Sequence, residues 1–287
     1  MSIKIENLYY TYLKDTPFQV EALSGINLEI KKGEFIGLAG HTGCGKSTLI
    51  QHFNGLLKPS SGKVFVDGTD IFAKKVNMQK IRALVGLLFQ YPEHQLFEET
   101  VYEDIAFGPK NFGVPDKDIE GRVKRAMASA GMSYEELKDR SPFTLSGGEK
   151  RKTAIAGVLA TEPEYIILDE PTAGLDPESR DNILAGIKEL HIKYKKTVIL
   201  VTHDMNQVAL LCDRVFIMEK GRIVLQGNLN EIFSQVEALE NYSLDIPQIT
   251  RLMHRLKEKG LSVNTEIYTV EEALKEIKKI KGGKRNG

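Results

Sequence analysis

Apolar and polar residues alternate along two stretches near the start of the chain, SIKIENLYYTY (2–12) and INLEI (26–30). Alternation with a period of two is typical of strands with one exposed face, so we predict a half-exposed sheet there. Four later runs are continuously apolar instead: FIGLAG (35–40), VGLLFQ (85–90), EYIILDE (164–170) and TVILVTH (197–203). Runs of this kind predict strands buried on both faces, as in a parallel α/β sheet.

Each buried run ends in a residue that can contact a ligand. The four ends are Gly40, Gln90, Asp169 with Glu170, and His203. Because ligands of parallel α/β sheets bind at the carboxyl ends of the strands, the candidate chemistry is expected at one sheet edge.

Helical patterns fill much of the remaining chain. KSTLIQHFNGLL (46–57) has helical spacing, and residues 91–145 lack strong strand patterns, so we predict a mainly helical insertion there. Residues 247–260 and 269–280 each carry an apolar stripe at helical spacing. They predict a small appended domain that ends in a disordered basic tail, KGGKRNG.

The segment GHTGCGKS (40–47) satisfies the pattern G-x-x-x-x-G-K-[ST] between a predicted strand and a predicted helix. In such a loop the backbone N–H groups and the helix N-terminus surround the phosphates of a nucleotide. Lys46 is expected to reach the β- and γ-phosphates, and the Ser47 hydroxyl to bind Mg²⁺. The candidate ATP-binding residues here are Gly40, His41, Thr42, Gly43, Cys44, Gly45, Lys46, Ser47 and Thr48.

Cys44 is open to two interpretations. A cysteine in this loop can serve as a small residue, or its thiol at a helix N-terminus can have a lowered pKa. The second interpretation predicts that a thiol reagent inhibits ATP hydrolysis and that bound ATP protects.

Composition narrows the function classes. The 39 basic residues balance the 39 acidic ones, which argues against bulk electrostatic attachment to nucleic acid or anionic lipid. The two cysteines, Cys44 and Cys212, have no disulfide or metal-binding pattern, which suits a reducing cytoplasm. Neither a signal segment nor an apolar run long enough to span a membrane is apparent.

The polar strand ends have distinct expected roles. Asp169 is placed to bind Mg²⁺ directly or through water, and Glu170 to polarise an attacking water. His203 is a candidate hydrogen-bond partner of the γ-phosphate, although a lone histidine is usually structural. Gln90 is a candidate ligand of Mg²⁺, an orienting group for water, or only a loop cap.

Two segments suggest partners. The segment after Gln90, YPEHQLFEETVYEDIAFGPKNFG, is rich in aromatic and acidic residues; it is either a partly buried helix pair or a protein-docking surface. The stretch TLSGGEKRK (144–152) offers a second phosphate-binding turn, at Ser146. One nucleotide-binding chain does not need two such loops, but a two-fold dimer in which each chain covers the other's nucleotide does.

Taken together, these motifs resemble those of ABC-type ATPases, in the order and spacing of that family, over residues 2–235. The resemblance implies an α/β fold: a P-loop NTPase cassette with a mixed sheet core, an antiparallel β edge and a helical insertion at 91–145. A small α-rich domain, 236–287, follows and is expected to stabilise a dimer. The family's signature loop contacts ATP on the opposing subunit; the matching residues are Leu145, Ser146, Gly147, Gly148 and Glu149.

The same resemblance assigns further roles. Asp176 would link the two nucleotide sites across the dimer, and Tyr12 would stack on adenine, with Phe18 as the alternative. Glu149 stands where glutamine is commonest and Cys44 where serine is. Both positions are expected to supply mainly backbone contacts.

The finer resemblance is to the ATPases of energy-coupling factor (ECF) transporters for vitamins and metal ions, including cobalt importers. It implies ATP and Mg²⁺ as cofactors and a head-to-tail dimer with a paralogue or a second copy. An integral membrane coupling protein would dock near Glu93–Glu99, and a solute-binding membrane subunit would be contacted indirectly. The chain would lie peripherally on the cytoplasmic face of the cell membrane, without nucleic acid. Alternatives are another ABC transporter or a DNA-repair ATPase, whose long coiled coils have no counterpart here.

Overall fold

The computed structural model describes residues 1–283 of the chain. Its strands are Ser2–Tyr12 (β1), Val20–Lys31 (β2), Phe35–Ala39 (β3), Ser61–Val66 (β4), Thr69–Asp70 (β5), Val85–Leu88 (β6), Tyr165–Asp169 (β7), Thr197–Thr202 (β8), Arg214–Glu219 (β9) and Arg222–Asn228 (β10). Its helices are Lys46–Phe53 (α1), Met78–Leu84 (α2), Val101–Asn111 (α3), Asp116–Ser129 (α4), Tyr134–Leu137 (α5), Gly147–Ala160 (α6), Pro177–Tyr194 (α7), Met205–Leu211 (α8), Leu229–Phe233 (α9), Val236–Asn241 (α10), Gln248–Glu258 (α11) and Val270–Gly283 (α12). Short 3₁₀ turns lie at Pro92–Gln95 and Pro142–Thr144.

The central sheet has six strands in the order β10-β9-β3-β8-β7-β6. Strands β9, β3, β8, β7 and β6 are parallel, and β10 pairs antiparallel with β9. The antiparallel β10 makes the sheet mixed. The four continuously apolar runs form the parallel strands β3, β6, β7 and β8, as predicted. Their carboxyl ends therefore meet at one edge.

Burial on both faces explains why these strands are continuously apolar. Along β7, Tyr165 and Ile167 pack into the core below the antiparallel sheet, whereas Ile166 and Leu168 pack into the core under the helices. The alternation of side chains along a strand thus serves two cores at once. A polar side chain in place of Ile166, Ile167 or Leu168 would be desolvated without a ready hydrogen-bond partner.

The alternating segments near the start of the chain form a second, antiparallel sheet of four strands in the order β2-β1-β4-β5. Strand β2 is longer than the INLEI run predicts: it begins at Val20 and ends at Lys31. This sheet packs through Ile3, Ile5 and Leu28 against the core that also contains α1. It thereby fixes the helix that follows the glycine-rich loop.

Residues 91–145 contain helices α3, α4 and α5, and the structure places no strand in that range. The C-terminal region contains a separate small apolar cluster centred on Met253. However, Leu244 and Ile246, which belong to the region predicted as an appended domain, pack into the main core. The division of the chain at residue 235 stays a prediction.

The C-terminal helix α12 continues to Gly283, three residues into the tail that the sequence predicts to be disordered. The rest of that prediction falls on residues 284–287, which lie outside the described residues.

None of the helices within residues 1–283 is long and apolar enough to span a bilayer.

Candidate active site

The glycine-rich loop connects β3 to α1, as the pattern predicts. Gly45 precedes the helix with φ +106°, and a side chain there would put its Cβ 2.8 Å from the Ala22 carbonyl oxygen. Only glycine tolerates both the conformation and the approach. The buried Lys46 ammonium donates to the carbonyl oxygens of Gly40, at 2.6 Å, and His41, at 3.0 Å. The loop is therefore closed around its own lysine.

A cavity of about 470 Å³ opens beside this loop at the carboxyl edge of the sheet. It combines loop residues with residues from four other parts of the chain. The lining residues are Tyr12, Val20, Glu21, Ala22, Thr42, Gly43, Gly45, Lys46, Ser47, Thr48, Gln90, Asp169, Glu170, Lys220 and Gly221. The structure thus brings half of the sequence-predicted site residues into one pocket.

Asp169, the last residue of β7, is 4% exposed and faces Ser47, the second residue of α1. The Ser47 hydroxyl donates a 2.7 Å hydrogen bond to Asp169 Oδ2. Burial raises the pKa of the Asp169 carboxyl, and the bond from Ser47 opposes that rise. A hydroxyl and a carboxylate in contact are oxygen donors of the type that Mg²⁺ prefers, so these two residues fit the predicted metal site.

Glu170 follows Asp169 in the left-handed conformation, with φ +47°. Its Oε1 lies 2.7 Å from His203 Nδ1 and also accepts a 3.2 Å bond from the His203 backbone N–H. A non-glycine residue in this conformation is strained and is held there by its surroundings. The strain and the two contacts direct the carboxylate toward the edge of the cavity beside His203.

Gln90 lies just beyond β6 and lines the cavity together with Asp169 and Glu170. The three interpretations of its amide stay open. Tyr12 also lines the cavity, and its hydroxyl lies 3.1 Å from Thr48 Oγ1. Phe18 is 76% exposed and is not among the residues that line this pocket. The position of Tyr12 supports its predicted adenine contact over that of Phe18, and the contact itself stays a prediction.

Three of the loop residues do not line the cavity. Gly40 is the backbone anchor of Lys46, and its Cβ position would lie 2.4 Å from the Met218 carbonyl oxygen. His41 places its Nε2 2.8 Å from Glu219. The Cys44 side chain is 1% exposed, and burial raises the pKa of its thiol. The interpretation of Cys44 as a thiol with a lowered pKa is therefore wrong, because burial outweighs the opposing effects of the Lys46 charge and the Lys46 N–H at the start of α1.

This burial makes a prediction about labelling. We expect both cysteines of the folded chain, Cys44 and Cys212, to resist an aromatic disulfide reagent, because each is buried with a raised thiol pKa. ATP hydrolysis should be unchanged after treatment, whereas the denatured chain should release two equivalents of thiolate. Rapid labelling of Cys44 that ATP prevents would restore the sequence-based hypothesis.

The second phosphate loop, residues 145–149, begins α6 and is not among the residues that line the cavity. Ser146 is the N-cap of the helix and forms a capping box with Glu149. Glu149 Oε2 accepts 2.8 Å bonds from both the N–H and the hydroxyl of Ser146. The N–H groups of Gly147 and Gly148 belong to the first turn, where N–H groups have no intrahelical acceptor.

The contacts of Glu149 correct one expectation. Its position was expected to supply mainly backbone contacts, yet its side chain holds the Ser146 hydroxyl. The Ser146 N–H and hydroxyl lower the pKa of this carboxyl, so it is charged at neutral pH. The spacing S-x-x-E in the sequence is the signal that could have identified this contact.

Asp176 is the N-cap of α7, and its Oδ1 accepts a 2.9 Å bond from the Ser179 N–H. Its predicted role across a dimer stays a prediction.

Sequence reasoning missed the turn between β9 and β10. Lys220 and Gly221 line the cavity, and the Gly221 N–H donates 2.9 Å to the Cys44 carbonyl oxygen. The pair KG between two apolar runs signals a hairpin, but its contact with a loop 177 residues earlier depends on the tertiary fold.

The chain is similar in sequence to a known family and to known proteins. A sequence model described as ABC transporter matches residues 23–173. The energy-coupling factor transporter ATP-binding protein EcfA2 of Clostridium tetani is 57% identical over 98% of this chain and 97% of its own length. The EcfA2 protein of Caldanaerobacter subterraneus subsp. tengcongensis is 50% identical over the full length of both chains.

Two solved structures are similar to this fold. One is cbiO1 from Clostridium perfringens, part of the ABC transporter complex cbiONQ, with a TM-score of 0.72 and 44% identity; the match covers 88% of this chain and 98% of cbiO1. The other is the dimeric ATP-binding cassette MJ0796 bound to ADP and Pi, with a TM-score of 0.72 and 30% identity. That match covers 79% of this chain and 98% of the cassette. These comparisons confirm the predicted cassette fold.

Proposed function

This chain belongs to the ABC transporter family, among its energy-coupling factor ATP-binding proteins, and from that premise we propose that it powers uptake of a vitamin or a transition-metal ion such as cobalt or nickel. It is the ATP-binding and ATP-hydrolysing subunit of such a transporter. The observation that supports this function best is the pocket where the lysine loop, Asp169 and Glu170 meet.

In this proposal Lys46 and the loop N–H groups hold the phosphates of ATP, and Ser47 and Asp169, with Gln90 as a further candidate, hold Mg²⁺. When bound, the ion neutralises phosphate charge and polarises the reacting phosphoryl group. Glu170 then accepts a proton from the attacking water. His203, which contacts the same carboxylate, keeps it oriented and is exposed enough to reach the γ-phosphate.

The second phosphate loop requires a partner ATPase. Because residues 145–149 are not part of the chain's own pocket, the N–H groups of Gly147 and Gly148, in the first turn of α6, are available for a nucleotide bound to another subunit. We propose a head-to-tail dimer, with a paralogue or a second copy, in which two cassettes close on two ATP molecules. Asp176, at the start of α7, would then lie near the dimer contact and link the two sites.

The proposed docking surface for an integral membrane coupling protein is near Glu93–Glu99. An adjacent groove of about 410 Å³ is lined by apolar side chains that include Phe97 and Phe107, which are 56% and 41% exposed. These rings meet edge to face with centroids 4.8 Å apart. Exposed aromatic residues among charged ones are typical of protein interfaces. Docking there would hold the chain peripherally on the cytoplasmic face of the cell membrane.

The alternative of a DNA-repair ATPase finds no support in the helical segment. Between Gln90 and Ser146 the longest helix is α4, with 14 residues, which is too short for the coiled coil of such proteins.

The function is tested by purification from native membranes. The chain is tagged, the membranes are solubilised gently, and co-purifying proteins are identified by mass spectrometry. We expect a second ATPase, a helical membrane protein and one or more solute-binding membrane subunits, whose bound solutes identify the cargo. Recovery with DNA, with ribosomes or without membrane proteins would contradict a transport function.

The C-terminal helices are proposed to stabilise the dimer. Val270 and Leu274, one turn apart on α12, are 64% and 51% exposed, so α12 has an apolar face available to a partner. We expect removal of residues 248–287 to weaken nucleotide-free pairing with the second ATPase, measured by sedimentation, while ATP binding is unchanged. The cut follows Pro247, so that Ile246, which belongs to the main core, is retained.

A truncated chain that pairs as tightly as the full one would contradict this role. The double variant Val270→Ser and Leu274→Ser tests the same role without truncation. It removes only the exposed apolar contacts and should also weaken pairing.

A further inference from the structure

We propose that Arg151 is a positioning residue that transmits docking of the membrane partner to the catalytic carboxylate of Glu170. This inference rests on the proposed function, because it assigns a connection to the docking segment around Glu93. The connection runs through one buried guanidinium that contacts two separate loops. Its first step joins α6 to the docking segment, and its second step joins α6 to the loop that follows Glu170.

The first step is an ion pair. Arg151 lies in the first half of α6 and is only 3% exposed. Its Nη2 lies 3.1 and 3.2 Å from the two carboxylate oxygens of Glu93, and its Nε lies 3.3 Å from one of them. Glu93 belongs to the 3₁₀ turn Pro92–Gln95 and keeps 21% of its side chain exposed. A partner that presses on this turn therefore acts on a carboxylate that is bound to a buried cation.

The second step is a hydrogen bond to the backbone. Arg151 Nη1 donates to the carbonyl oxygen of Ala173. The N–H of Ala173 donates in turn to the carbonyl oxygen of Glu170, at 3.2 Å. This turn contains the strained φ of +47° at Glu170, so its orientation controls where the catalytic carboxylate points. A planar guanidinium can hold a carboxylate on one side and a carbonyl on another, which an ammonium group cannot do in the same geometry.

The energetics make the connection effective. A buried guanidinium that loses its carboxylate is left uncompensated, so Arg151 is expected to follow Glu93 when the docking segment moves. A shift of the guanidinium then changes the hydrogen bond to Ala173, and a displacement of about 1 Å at a catalytic group is enough to slow a reaction markedly. The docking segment and Glu170 are thus coupled although they lie on different loops.

The test uses the transporter complex purified from native membranes through a tag on this chain. Glu93→Gln keeps the size and one acceptor of the side chain but removes its charge, and Arg151→Lys keeps the charge but not the fork. We expect phosphate release per assembled complex to fall by about 2-fold to 30-fold in each, the range expected for coupling between distant sites. The affinity of the isolated chain for a fluorescent ATP analogue should be unchanged in each variant.

Glu135→Gln and Arg125→Gln are the matched controls. Both residues lie on the same helical segment, are 76% and 59% exposed, and are outside the proposed connection. These variants should release phosphate at the rate of the unchanged complex.

Glu93→Gln combined with Arg151→Lys should be no slower than the slower single variant, because the two residues act on Glu170 through each other. Independent, multiplying effects would overturn the inference. It would also fail if Glu93→Gln lowered partner recovery without changing phosphate release per complex, since Glu93 would then be only a docking contact. Lowered nucleotide affinity or a lower melting temperature that accounted for the loss would assign Arg151 a purely structural role. If the unchanged chain recovered no membrane partner, the proposed function would fail first.

Discussion

Replacing Glu170 by glutamine should slow ATP hydrolysis by about 10²-fold to 10⁴-fold while nucleotide binding is retained, because a positioned general base contributes about that much. The amide has the same shape as the carboxylate and can keep the contacts with the His203 backbone and ring, which lie at 3.2 and 2.7 Å. It cannot accept a proton from water at neutral pH. The reacting complex should therefore form and persist.

Two measurements check this result: phosphate release by the assembled complex, and the affinity of the isolated chain for a fluorescent ATP analogue. Glu189→Gln on α7 is the matched control, because it makes the same chemical change at a surface residue. Glu189 is 64% exposed and pairs with Lys193. The control should hydrolyse ATP at the rate of the unchanged chain. Near-normal turnover by Glu170→Gln would remove the general-base role and leave His203 as the next candidate.

The central strands were predictable because their burial on both faces produces a continuous apolar run. Strand β8, Thr197–Thr202, is buried at every residue, and the sequence TVILVT has no other ready explanation. Strand β10 was not predicted, and its residues are mostly half-buried, so its pattern is weak. For half-buried segments of this kind, tertiary packing determines whether a strand forms, since the conformational preference of the segment alone is similar for strand and loop.

The residues of the candidate site, like the strands, were only partly predictable from the sequence. Asp169, Glu170 and His203 could be placed together from the sequence because strand ends of one parallel sheet converge. The ion pair between Arg151 and Glu93 could not, because it joins residues 58 positions apart on two segments whose relative position the sequence does not specify. The burial of the Cys44 thiol could not be predicted either. It depends on the backbone conformation of the loop, in which Gly40 and Gly45 have positive φ.

Asp169→Asn should change activity and stability in opposite directions. Asp169 is the buried carboxylate that receives the Ser47 hydroxyl at 2.7 Å. An amide oxygen can still accept this bond, but it lacks the charge that attracts Mg²⁺, so we expect phosphate release to fall by about 10²-fold or more, as for loss of a preorganised electrostatic group. The magnesium dependence of nucleotide binding should weaken in parallel.

Stability without nucleotide or magnesium should rise in the same variant. Burial raises the pKa of Asp169, with the nearby Glu170 carboxylate acting in the same direction, so the folded chain disfavours the charged form. A carboxyl whose pKa is raised in the folded chain lowers stability as pH rises from the ordinary range of aspartate through the raised pKa. The melting temperature of Asp169→Asn, measured with a chelator present, should therefore exceed that of the unchanged chain at pH 7. The difference should shrink as pH falls toward the ordinary range of aspartate. A lower melting temperature at neutral pH would show that this carboxylate stabilises the fold, and the charge would then have a structural role in addition to binding the ion.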